Sequence, residues 1–134
     1  MRHQTIQRLY WTSNRFVTLI IGIAFILIGA IGFFYTPDRA MGNMMGFDID
    51  FVHNCVHLLT GIVALAVFFT GWPRLFNRIF GFIYLLMGLA GIIYPGLYVH
   101  DLFLGAIHAN AADHILHVVV GAIVTFMGYF VYDY

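Results

Sequence analysis

The sequence predicts an all-α integral membrane protein, with four transmembrane helices arranged as two parallel two-helix repeats. Three observations carry this. Of 134 residues, 62% are apolar and only 9% are charged, whereas a water-soluble surface needs roughly 25–35% Lys, Arg, Glu and Asp. Four apolar stretches, residues 16–35, 51–69, 75–94 and 115–132, each approach the ~20 residues of helix that cross a bilayer core. The first half of the chain also resembles the second at an offset of 59 or 60 residues. The same composition excludes disorder, which needs low hydrophobicity. Zero formal net charge and the absence of a basic run argue against nucleic acid as a partner. The single cysteine, Cys55, excludes an internal disulfide framework and a multi-cysteine zinc site.

The first span follows Arg2, Arg8 and Arg15, as the apolar core of a signal peptide would. It is longer than the about 7–15 residues of such a core, and no A-x-A cleavage site follows, so it reads as a retained helix. Residues 1–15 are then expected to be a cytoplasmic N-terminal segment, and 16–132 one four-helix domain. The second span opens with His53-Asn54-Cys55-Val56-His57, and Gly61 lies four residues on. The third repeats the first: Gly22, Gly29, Gly32 and Tyr35 have counterparts 59 residues later in Gly81, Gly88, Gly91 and Tyr94. The fourth repeats the second at 60 residues, with Asp113-His114-Ile115-Leu116-His117 and then Gly121. Glycines at such spacings let helix backbones approach closely in lipid. Two helices per repeat leave its orientation unchanged, which puts a pseudo-two-fold axis along the membrane normal.

The arginines set the expected orientation. Arg2, Arg8, Arg15, Arg74 and Arg78 flank one end of the spans, and only Arg39 lies at the other; Asp38, Asp48, Asp50, Asp101 and Asp113 lie in or beside the opposite loops. Positive charge stays inside, so both termini are expected in the cytoplasm. Tyr10, Trp11 and Trp72 would form the inner aromatic belt, and Tyr35, Tyr94 and Tyr98 the outer one. No segment alternates as a membrane β-strand does.

Six of seven histidines fall on the outer half: His53, His57, His100, His108, His114 and His117. His53 and His57 are four apart and share one helical face, which Gly61 continues; Asp113, His117 and Gly121 repeat the pattern, with His114 on the flank. Polar groups within spans usually face the bundle interior. If the second and fourth spans are neighbours, His53, His57, Asp113, His114 and His117 converge as candidate ligands of a divalent metal. His57 and His117 also occupy equivalent places, as an axial pair on a haem-like tetrapyrrole would, with Gly61 and Gly121 leaving room for its edge. A proton relay through His and Asp is a third chemistry. Against all three stands a purely structural role, in which His117 pairs with Asp113 and His57 with Asn54 along their own helices.

Other features carry less. Cys55 lies on another face of its helix from His53, which suits packing. Met41, Met44 and Met45 are thioethers that can bind Cu(I), or simply the apolar tip of a loop dipping into the interface. No GxSxG, HExxH or glycine-rich phosphate loop is present, and no nucleophile–base pair can be named, which weighs against an enzyme.

Asn54-x-x-His57-x-x-x-Gly61, Phe80-Gly81-x-x-Tyr84 and Asp113-x-x-x-His117-x-x-x-Gly121, set in four spans over about residues 16–132, resemble a bacterial membrane-protein family catalogued as domain of unknown function 4383. The resemblance implies a four-helix membrane protein and carries over no activity. Two functions are therefore expected to compete. One is a metal or tetrapyrrole binding protein with an outer-face His/Asp site. The other is a non-catalytic accessory subunit that meets lipid and other membrane proteins, or copies of itself.

Overall fold

A computed structural model describes residues 10–133. Four helices form: α1 Ser13–Tyr35, α2 Phe51–Phe68, α3 Pro73–Ile93 and α4 Ala111–Phe130. Each is long and apolar enough to cross a membrane. The chain is thus a multi-pass membrane protein in contact with the bilayer. Arg2, His3 and Arg8 lie outside the described residues.

Each helix starts where a side chain or a proline answers its orphan amides. The Thr12 hydroxyl accepts from the Arg15 amide before α1, and Asp50 accepts from the His53 amide before α2. Pro73 opens α3. Asn110 and Asp113 form a reciprocal capping box at α4. That box corrects the expected start of the fourth span. Hydropathy begins at residue 115, but the polar capping turn is helical from Ala111.

The order helix, 3-10 turn, short hairpin, helix occurs twice. After α1 come a turn at Pro37–Arg39 and the hairpin β1 Gly42–Met44 with β2 Phe47–Ile49. After α3 come a turn at Pro95–Leu97 and the hairpin β3 Tyr98–Val99 with β4 Leu102–Phe103. Both hairpins close through two residues at positive φ: Met45 (55°) and Gly46 (96°) in the first, His100 (51°) and Asp101 (67°) in the second. That backbone matches the twist of the strands it joins.

The close helix pairs are α1 with α2 and α3 with α4. Within the first, a Cβ on Gly61 would strike the Gly22 carbonyl and the Ile26 backbone; within the second, one on Gly121 would strike the Leu85 backbone. α2 and α4 are not a close pair and meet instead through side chains, with the His53 and His117 rings 6.2 Å apart. An apolar core of Ile21, Phe25, Ala64, Phe80, Tyr84 and Val124 joins the two pairs. Besides Ile49 and Phe103 of the hairpins, the most buried large side chains are polar: Asn14, Thr18, Asn54, Asn77 and His114 are sealed inside, while residues such as Leu27, Leu59, Ile62 and Phe82 face outward. This suits lipid, where apolar surface gains little by burial and polar groups tie helices together.

At the end where α1 begins and α4 finishes, Asn77 Nδ2 donates to the backbone and side-chain oxygens of Asn14, and Thr18 Oγ1 donates to Asn77 Oδ1, all at 3.0 Å. Arg74 and Arg78 donate to the Gly128 carbonyl near the end of α4. The hairpins occupy the opposite end.

Candidate metal centre

The centre is built on the first turns of α2 and α4. Asp50 caps α2 through the His53 amide (2.8 Å). This fixes His53 in the first turn and His57 one turn deeper on the same face. The other Asp50 oxygen accepts from the His108 amide (2.6 Å) and from His108 Nδ1 (2.9 Å). Burial alone would raise the Asp50 pKa, but these N–H groups and the charge of His108 outweigh it and hold the carboxyl below the ordinary carboxylate range.

His53 Nδ1 lies 3.2 Å from the carbonyl oxygens of both Asp48 and His108. A carbonyl only accepts, so Nδ1 carries the proton and, in the neutral ring, Nε2 keeps the lone pair. His57 Nε2 lies 3.2 Å from the Tyr84 hydroxyl, and the Phe25 ring meets His57 edge-on at 5.0 Å. The His117 ring packs 4.4 Å from that of Tyr84. One ligand nitrogen from each of His53, His57 and His117 lies within 4.8 Å of those from the other two, and all three residues are buried. His53 Nε2, His57 Nδ1 and His117 Nδ1 are buried and have no hydrogen-bond partner. Three imidazoles in this arrangement could hold one metal ion. Zn–N bonds are about 2.0–2.1 Å, so tetrahedral ligand nitrogens sit about 3.4 Å apart. Side-chain rotations that close a gap of about 1.4 Å would complete the set.

Asp113 and His114 are placed otherwise. Asp113 Oδ2 accepts from the amides of Asn110 (2.8 Å) and Asp48 (3.0 Å), so it fastens α4 to the first hairpin. Tyr98 donates its hydroxyl hydrogen to the Ala109 carbonyl, which leaves the Tyr98 oxygen to accept from His114 Nε2. Burial and the carboxylates of Asp113 and Asp48 raise the Tyr98 pKa, which keeps that hydroxyl protonated. A Cβ on Gly91 would run into the His114 ring, and one on Gly32 into the Asn54 amide. These two glycines make room for buried polar side chains.

The structural pairings expected along single helices do not form. His57 reaches across to Tyr84 on α3, because Asn54 turns to Thr36 Oγ1 at 3.2 Å. His117 is not hydrogen-bonded to Asp113, whose Oδ2 serves the capping box. Tyr98, expected in the outer aromatic belt, is instead half-buried in the hairpin. His108, which lies in a loop, positions His53 through its carbonyl.

Two residues central to the site carry no ligand motif. Tyr84 stands 59 residues after Phe25, so it marks a polar departure between the halves. Asp50 directly precedes an apolar run, the place of an N-cap.

Between α1 and α4 lies a cavity of about 390 Å³ whose polar end is formed by His57, Tyr84, Asp113 and His117.

A family model described as Domain of unknown function (DUF4383) matches residues 15–130. No curated protein and no solved structure matches the chain.

Proposed function

The chain belongs to the DUF4383 family, and on the strength of its histidine centre we propose that it is a membrane protein that binds one transition-metal ion through His53, His57 and His117. The observation that carries this is the convergence of three buried rings, each keeping one buried nitrogen unpartnered. A buried polar atom without a partner costs about 1–3 kcal/mol, and coordination to an ion gives such a nitrogen a partner. The His53 Nδ1–H bonds to two carbonyls are the outer contacts that orient a metal-bound imidazole. An all-imidazole set suits Zn, Cu, Fe or Ni. A tetrapyrrole is less well served, because the Tyr84 side chain touches both His57 and His117 where a macrocycle would pass. The two halves read as parallel repeats about an axis near the centre, and the arginine distribution puts the hairpin end outside.

The test is metal titration of protein purified in detergent and stripped with chelator. Wild type is expected to take up one Co²⁺ per chain, with a visible band of the ion in a nitrogen-rich site. His57→Phe with His117→Phe keeps bulk and removes ligand nitrogens. It should weaken uptake by about 100-fold or more, beyond the 10–100-fold typical of losing an outer contact. His100→Ala, in an exposed turn, should leave uptake unchanged. Wild type that takes up no ion, or a double variant that binds equally well, overturns the reading.

A further inference from the structure

Metal binding leaves the apolar walls of the cavity between α1 and α4 unexplained. Ile20, Ala24 and Ile28 wall it on α1, and Leu116 and Val120 on α4. Ile20 is 49% exposed and Leu116 41% exposed on the outer surface of the bundle. Exposed residues in the lining carry the cavity to the surface of the bundle along α1 and α4, whose outward faces are apolar. Met44 and Met45 of the first hairpin also line the cavity. The inner end is different in kind: it presents the Tyr84 hydroxyl and the imidazoles of His57 and His117, with the Phe25 ring alongside.

We propose that this cavity binds a quinone drawn from the bilayer, a neutral planar head with carbonyl or hydroxyl groups on an apolar tail. Apolar walls with a few convergent polar groups at one end are the general form of a small-molecule site, and about 390 Å³ lies within the usual range of roughly 300–1,000 Å³. The polar end offers a hydroxyl and imidazoles, which donate to and accept from a carbonyl or hydroxyl. Phe25 and Tyr84 supply aromatic faces for a flat ring. No Arg or Lys lines the cavity, and Asp113 does. A fatty-acid carboxylate or a lipid phosphate would therefore meet a carboxylate and no countercharge. The volume holds a ring and the start of one chain, and the exposed Ile20 and Leu116 in its wall leave the remaining tail a route to the lipid-facing surface.

The cavity shares His57 and His117 with the metal centre, so the test uses chelator-stripped protein in nanodiscs of neutral lipid, where no ion competes for those imidazoles. The probe is a decyl-substituted benzoquinone, followed by quenching of intrinsic fluorescence. Saturable binding is expected. Leu116→Trp narrows the cavity from an exposed position in its wall and should weaken binding at least tenfold with an unchanged melting temperature. Tyr84→Phe removes one hydroxyl and should weaken it severalfold. Decanoate, which has the tail but an anionic head, should not compete, and neither should a neutral monoacylglycerol. Absence of saturable binding overturns the proposal, as does a Leu116→Trp protein that binds like wild type. Equal competition by decanoate or monoacylglycerol also overturns it, by showing that the cavity recognises tails only. None of these outcomes depends on whether the histidines hold an ion.

Discussion

Three N–H groups converge on Asp50, from the His53 backbone and from the backbone and ring of His108. Its depressed pKa is also a statement about stability. The unfolded carboxyl titrates near about 3.9, and the folded one lower. The contribution is therefore fully present above the unfolded value and is lost as pH falls through the folded one. Asp50→Asn should melt below wild type at neutral pH, and the gap between them should shrink in acid; thermal unfolding in detergent at the two pH values checks it. A gap that stays constant would show that the charge contributes nothing. The variant should also bind metal more weakly: Asn keeps the cap, but its NH2 cannot accept from His108, whose carbonyl helps to place His53. At this scale the sequence was partly legible. The i, i+4 spacing brought out His53 with His57 and Asp113 with His117, because that spacing is local to one helix. Asp50 and Tyr84 were not legible as parts of the site, because their partners lie 58 and 27 residues away. Asp113 and His114 carried the right chemistry in the sequence, but backbone amides take Asp113 Oδ2, Tyr98 takes His114 Nε2, and neither residue joins the cluster of His53, His57 and His117.

Among the elements, α4 depends most on a polar turn. Asn110 accepts from the amides of Ala112 and Asp113, and its side-chain amide donates to the Gly46 carbonyl of the first hairpin at 2.9 Å. Asn110→Ala should cost about 1 kcal/mol, within the usual 0.5–2 kcal/mol for a lost N-cap. Chemical denaturation in mixed micelles measures it; a loss below a few tenths of a kcal/mol would mean that the cap is dispensable. Four helices were legible because long apolar runs dominate the sequence. The hairpins were not, since strands of two or three residues have too little length for alternation to show. Their turns also place Met45, His100 and Asp101 at positive φ, where glycine or asparagine would have been the signal. The true start of α4 escaped for the opposite reason: its first turn is polar enough to look like loop.

Across the whole molecule, the arginines at the end with the termini and the acids among the hairpins imply an orientation that cysteine accessibility can test. With Cys55 replaced, single cysteines at 42–47 and 98–105 should label from outside intact cells, and those at 69–72 only after permeabilisation. Labelling of 69–72 from outside would invert the topology. The two helix pairs also bear on how the protein is made. α1 closes on α2, and α3 on α4, through contacts between sequence neighbours. Each pair can enter the membrane as a finished unit while the ribosome is still at work. The contacts that gather the histidines run between units: two rings arrive with the first pair and the third only with the second. The three-histidine cluster therefore needs both pairs in place. An early intermediate can offer an ion no more than the two imidazoles of α2. Under the proposed function, capture of an ion would report that the two halves have docked in register.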